Sequence, residues 1–313
     1  MKLRAYLLML FVVAIWGSTF VVVKGALADT TPAVYNCIRM VYAFLFLVLL
    51  YHRSLRGLSR GKVLSGAVVG LCLMMGYEFQ TMGLIRTSPT NCAFITGLVV
   101  VMVPFLSLIP GMRSAEHHTP RWNVFLGALL AFVGIMLLTV PAAAAHGSGI
   151  SAQIVALLPD LSAINPGDIL TFFGALGFAF HTLALSHTSP RIGFQQLAIL
   201  QIGFAALFMG LGLPFLDHSF LHWTPRLIFA LSVSAIFCTS IAFSAQTWAQ
   251  SILPPTHMAI IFTLEPFFAW LTSFLVLGER MTLRPGCGAV LIIAGIIVTE
   301  LIQQPPVPLA HEV

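Results

Sequence analysis

Glu265 stands beside Pro266 inside a long apolar run. An ionisable group at the centre of a lipid-buried helix costs at least about 2.5–3.5 kcal/mol, so it needs a reason to be there. The proline removes a backbone donor and leaves the Phe262 carbonyl without its helical partner. Carboxylate and free carbonyl together suit a polar centre facing a cavity; a helix-to-helix hydrogen-bonding role explains the same residue without any solute. Glu78, Arg39 and Lys24 form a second group at similar depth in neighbouring runs. Pairing Glu78 with one of the two cations is the cheapest arrangement, and exposing all three to the charged groups of a zwitterion is the alternative. Trp16 and Thr19 are three apart and share a helical face, and Phe178 and His181 repeat that spacing. An imidazole ordinarily titrates near physiological pH, so His181 suits solute binding or proton carriage, although an interior hydrogen-bonded histidine is the plainer reading. Tyr77, Gln80 and Thr81 make a further polar cluster, and Gln246 and Trp248 stand beside Ser240, Ser244 and Thr247. Small hydroxyl residues often serve only helix packing. Gln246 and Trp248 are therefore the stronger candidates of that group, with Asn91, Thr96 and His257 weaker.

Several chemistries are excluded. There is no phosphate-binding Gly-Lys-Ser or Gly-Lys-Thr loop, so ATP-driven transport by this chain alone is not expected. His117 and His118 are adjacent rather than spaced to face one metal, and none of Cys37, Cys72, Cys92, Cys238 and Cys287 forms a CxxC pair. No metal or other cofactor is expected. A membrane enzyme should cluster Asp, His or Glu at one face, whereas here they are scattered singly. A multi-span enzyme or lipid-handling scaffold is thus the rival reading, and a channel lacks an open polar file.

The elements that hold these residues are read from hydropathy. Of 313 residues, 58% are hydrophobic and 8% charged, far below the roughly 25% charge of a soluble domain. Spanning hydrocarbon takes about 20 apolar residues as helix. Ten such runs occur, near 5–27, 34–51, 63–84, 89–110, 122–141, 168–188, 194–214, 227–249, 255–277 and 285–303. They are continuous, as in Val99-Val100-Val101-Met102-Val103, and so do not alternate as barrel strands would. The first run opens like a signal peptide, with Lys2 and Arg4, but lacks a small-residue cleavage site and is expected to be retained. With the N-terminus inside, inner loops hold Lys2, Arg4, Arg53, Arg56, Arg60, Lys62, Arg113, Arg121 and Arg191. Outer loops hold only Arg86, Arg226, Arg280 and Arg284. That satisfies the positive-inside bias and puts both termini in the cytoplasm. The net charge of +5 then needs no nucleic-acid partner.

The chain also says nearly the same thing twice. Laying the first half on the second places Trp16-Gly17 on Phe178-Ala179, Arg39 on Gln201, Pro104 on Pro266, and Gly127 and Gly134 on Gly288 and Gly295. Two copies of an odd number of spans insert in opposite directions, the inverted-repeat architecture of many secondary transporters. The expected fold is therefore an all-α membrane protein of about ten transmembrane helices in two inverted five-helix repeats. The first repeat covers 5–141, an outer linker 142–167, the second repeat 168–303 and a cytoplasmic tail 304–313. Ile154–Leu158 suits a short surface helix in the linker. Pro104 and Pro266 are candidate kinks or gating points, and the paired glycines suit close helix contact.

Trp16-Gly17-Ser18-Thr19-Phe20 and Thr87-Ser88-Pro89-Thr90-Asn91-Cys92-Ala93, with Pro255-Thr256-His257-Met258-Ala259, Leu264-Glu265-Pro266, Leu277-Gly278-Glu279-Arg280 and Gly288-Ala289-Val290, resemble the two repeats of EamA-type transporters of the drug/metabolite transporter superfamily. One departure is visible. Asn91 precedes Pro104 by more residues than Pro255-Thr256 precedes Pro266, so the fourth and ninth helices differ in register. The resemblance implies a central cavity lined chiefly by helices 1, 3, 4, 6, 8 and 9, and usually the export of small metabolites, amino acids or drugs. On this reading the chain is a bacterial-type inner-membrane carrier working by alternating access. The cavity candidates are Trp16, Thr19, Tyr77, Glu78, Gln80, Asn91, His181, Gln246, Trp248 and Glu265. Its partners are a small-molecule solute and the lipid bilayer, with homo-oligomer formation left open.

Overall fold

The computed structural model describes residues 2–107, 109, 122–140, 160, 163–189, 191–215, 220–249, 261–262 and 264–301. Most of the 142–167 linker, including 154–158, lies outside these residues, as do His117, His118, His257 and the 304–313 tail.

The chain is built of apolar helices whose starts are written in the sequence. The helices are α1 (Lys2–Ala26), α2 (Pro32–Tyr51), α3 (Arg60–Leu84), α4 (Pro89–Thr96), α5 (Val99–Leu106), α6 (Trp122–Thr139), α7 (Pro166–Thr188), α8 (Phe194–Gly212), α9 (Pro225–Val233), α10 (Ala242–Ala249), α11 (Glu265–Leu277) and α12 (Leu283–Leu301). Proline opens α2, α4, α7 and α9, where its missing N–H is no loss. Ser59, Ser88, Asn165 and Thr224 cap α3, α4, α7 and α9 by accepting first-turn N–H groups. Gly278, at φ 68°, closes α11 in the left-handed conformation that glycine adopts without strain. A π-helical stretch, Ser234–Ile241, joins α9 to α10.

Among the described residues six helical stretches are long and apolar enough to cross a membrane: Leu3–Ala26, Pro32–Leu55, Arg60–Leu84, Pro166–Thr188, Phe194–Phe215 and Pro225–Ala249. Four shorter apolar ones are Pro89–Val103, Phe125–Thr139, Glu265–Leu277 and Leu283–Val298. The protein is an all-α multi-pass membrane protein with two repeats. Large apolar side chains such as Leu49, Phe132 and Leu275 point outward, which in lipid is solvation rather than a liability.

The major contacts cross between the repeats: α3 with α7, α6 with α12, α1 with α11, and α2 with α8. Without a hydrophobic drive between helices in lipid, small residues that admit close backbone approach decide these seams. A Cβ at Gly177 would lie 2.6 Å from the Gly76 nitrogen, and one at Gly174 would lie 2.8 Å from the Gln80 nitrogen. Between α6 and α12, Gly134 meets Gly288 and Gly127 meets Gly295, so both glycine pairs of the sequence repeat are used reciprocally.

The fourth apolar run breaks at Gly97-Leu98, upstream of Pro104, and Pro104 lies inside α5. The break lies at a close approach of two helices. A Cβ at Gly97 would stand 3.3 Å from the Pro266 ring, so the α4 end and the α11 start meet at one point. Pro266 opens α11 instead of kinking its middle.

Candidate functional site

The interrupted helices converge on a cavity of about 120 Å³ between the repeats, room for on the order of ten waters or one small solute. Its wall is contributed by α1, α2, α3, α4, α5, α7, α10, α11 and the π-helical stretch. Trp16, Thr19, Tyr77, Gln80, His181, Gln246 and Glu265 all line it.

The wall is largely aromatic. Phe262, Trp16, Phe243, Tyr77 and Phe178 form a chain of ring contacts with centroids 5.9, 5.6, 6.2 and 5.1 Å apart. Such rings give an apolar body a rigid surface. Polar groups punctuate them. Trp16 Nε1 donates to the Cys238 carbonyl at 2.8 Å. Thr19 Oγ1 lies 2.8 Å from Cys238 Sγ. Gln80 Nε2 donates to Thr96 Oγ1 at 2.9 Å. His181, 2% exposed, meets the Gln201 carbonyl oxygen Oε1 through Nε2 at 2.8 Å, with its ring edge-on to Phe243. A carbonyl oxygen can only accept, so Nε2 carries the proton. Among the described residues, Gln246 Oε1 and Gln201 Nε2 are buried without a hydrogen bond. Glu265 sits in the first turn of α11, where a helix N-terminus favours a carboxylate.

Three candidates fall outside the wall. Glu78 packs off it, one Oε1 buried and unpartnered. It pairs with neither expected cation: Asp29–Arg226 at 2.9 Å is the ion pair among the described residues. Lys24 Nζ instead donates to the carbonyls of Leu84, Ile85 and Thr87 at 2.6, 2.7 and 3.0 Å. It caps the C-terminal end of α3, where unpaired carbonyls gather partial negative charge, and that competes successfully with a lone carboxylate. Asn91 occupies the first turn of α4, its backbone N–H bound by Ser88. Trp248 packs beside Met9, Val12 and Val13.

A further cavity residue is Arg39, which the sequence left between pairing with Glu78 and facing a solute. It lines the wall, is 4% exposed, donates from Nε to Thr239 Oγ1 at 2.8 Å and from Nη2 to the Tyr77 hydroxyl at 3.1 Å, and lies 4.4 Å from the Tyr77 ring centre. The available signal was its alignment with Gln201, a polar residue at the matching place.

Beyond the cavity, the end of the bundle opposite the N-terminus is laced shut. Asp29 accepts from Arg226 twice, at 2.9 Å each, and from Thr224 at 2.7 Å. Thr30 bridges Leu221, Asn165 donates to the Arg86 carbonyl at 2.8 Å, and Thr87 donates to Asp168. The Arg226 guanidinium, aided by Thr224, holds the Asp29 carboxyl below the usual carboxylate range.

The sequence model of the EamA-like transporter family matches residues 3–140 and 165–301. An uncharacterized transporter of Archaeoglobus fulgidus is 32% identical over 300 residues, 96% of this chain and 87% of its own. The uncharacterized transporter YvbV of Bacillus subtilis is 24% identical over 303 residues, 94% of this chain and 91% of its own. A crystal structure sharing 16% identity superposes with a TM-score of 0.63 over 95% of this chain and 98% of that one, a likeness of fold.

Proposed function

From the premise that the chain belongs to the EamA-like transporter family, and so is a membrane transporter and not an enzyme, we propose that it exports a small organic solute across the inner membrane by alternating access. The observation that carries this reading is the cavity: both repeats supply its wall, and interrupted helices meet there. Discontinuous helices at the interface of inverted repeats are where secondary transporters hold their cargo. The wall combines aromatic surface with few polar groups, the usual make-up of a small-molecule site. The positive-inside bias supports cytoplasmic termini, which makes the laced end the outer one.

The test is transport by purified protein in liposomes, with a panel of metabolites and one imposed gradient at a time. Wild type should accumulate or release a defined subset. Glu265→Gln should cut that flux about tenfold, the loss expected when a titratable carboxyl is replaced in a moving site, while the protein still inserts and elutes as a folded species. Unchanged flux and an unchanged pH profile would return Glu265 to a packing role; no flux for any solute would remove the transport reading.

A further inference from the structure

The two repeats furnish the cavity with different ionisable side chains. Arg39 comes from the first; its counterpart in the second is Gln201, neutral and already engaged by His181. Glu265 comes from the second; its counterpart in the first is Val103. No ion pair joins the two among the described residues.

Arg39 is the more demanding of the two. A guanidinium stays protonated in any protein environment and carries five N–H donors. Thr239 and Tyr77 take one each, which leaves three without a hydrogen bond among the described residues. The guanidinium plane is nevertheless held firmly, by Thr239 on one edge and by the Tyr77 ring 4.4 Å from its carbon. A buried cation with no carboxylate within ion-pair distance among the described residues, its plane fixed and lining a cavity, is arranged to receive something that brings negative charge with it. The bidentate match of a guanidinium fork is an oxyanion.

We infer that the solute bears an oxyanion, a carboxylate or a phosphate, and that Arg39 binds it while the aromatic chain of Trp16, Phe243, Tyr77 and Phe178 receives the apolar remainder. This rests on the transport reading only in calling the ligand a transported solute; the binding site stands on the geometry alone. Thr239 and Tyr77 are positioning residues, acting through Arg39.

The experiment uses the full-length protein in detergent and four probes with one phenyl body: phenylpropionate, phenethyl phosphate, phenethylamine and 3-phenylpropanol. Thermal stabilisation is titrated at millimolar concentrations. Phenylpropionate, phenethyl phosphate or both should stabilise the wild type, the ranking of the two naming the oxyanion, while the amine and the alcohol bind at least about tenfold more weakly, as expected for loss of a charge-assisted bidentate contact. Arg39→Gln should abolish the preference for anions, and Arg39→Lys should keep part of it without the fork. Glu78→Gln, off the wall, should leave the ranking intact. Stabilisation independent of probe charge, preference for the amine, or none by either anion would overturn the inference, and these wild-type measurements decide it even if Arg39→Gln fails to fold. Anion binding without flux in liposomes would keep the Arg39 site and remove the transport reading; flux of neutral solutes with full activity in Arg39→Gln would do the reverse.

Discussion

The seam between α3 and α7 and the seam between α1 and the helical stretch Pro225–Ala249 hold equivalent places in the two repeats, yet they are made of different material. In the first, backbone lies on backbone: Gly76 against Gly177, Gly174 against Gln80, Gly83 against Gly167 and Thr171. In the second, side chains hold the helices: Trp16 reaches the Cys238 carbonyl and Thr19 the Cys238 sulfur. Cys238 itself sits in the π-helical stretch, where the backbone ladder is already irregular and carbonyls are free to take outside donors. Glycine contacts have one geometry and clash when shifted. Side-chain hydrogen bonds can be exchanged, with each other or with a solute. Twofold architecture therefore does not imply twofold mechanics: one seam suits a fixed joint and the other a joint that rearranges.

Breaking the fixed seam should have the largest effect. Gly177→Val puts a branched side chain where even a Cβ would lie 2.6 Å from the Gly76 nitrogen. Overpacking of this kind costs about 1–3 kcal/mol and occasionally more, so folded yield and melting temperature should fall sharply. An unaltered melting curve would show that the seam is not the rigid one. The rearrangeable seam should tolerate more. Trp16→Phe keeps an aromatic ring but deletes the donor to Cys238, a loss of about 0.5–1.5 kcal/mol. The protein should fold, with altered solute affinity as its main symptom. A destabilisation equal to that of Gly177→Val would erase the distinction between the seams.

The smallest effect belongs to the lacing at the end opposite the N-terminus. The Asp29 carboxyl is held below its ordinary value of 3.8, first by the Arg226 hydrogen bond. A lowered folded-state value means that the contact stabilises at pH above 3.8 and is lost as pH falls through the lower folded value. Asp29→Asn should thus melt slightly below wild type at neutral pH, and the two curves should converge on acidification below 3.8. A gap that widens in acid would mean that Asp29 is not acting through its charge.

The helical membrane fold and its repetition were legible because each is a property of runs: continuous apolar stretches, and landmarks recurring in order. Site residues were less so, because a helix turns by about 100° per residue. Tyr77, Gln80, Thr81 and Leu84 share one face and line the cavity, while Glu78, one step from Tyr77, faces elsewhere. Gln246 and Trp248 part in the same way. Sequence shows that these residues are polar or aromatic at membrane depth, but the rotation of each helix is set by its neighbours. The expected pairing of Lys24 or Arg39 with Glu78 failed for another reason. Opposite charges at one depth suggest a pair, yet the carbonyls at the end of α3 and the Thr239–Tyr77 pocket offer those cations other partners, and neither is visible as a charge in the sequence.

The contact between α6 and α12 has a consequence beyond packing. Gly127 and Gly288 are the same position in the two copies, as are Gly134 and Gly295, and the contacts made are Gly127 with Gly295 and Gly134 with Gly288. That is an isologous interface, each copy offering the identical patch. A single repeat would already carry both halves of it, needing only a second copy to complete the contact. Joining two such units in one polypeptide fixes their ratio at one to one and leaves each copy free to differ: one carries Arg39, the other Glu265.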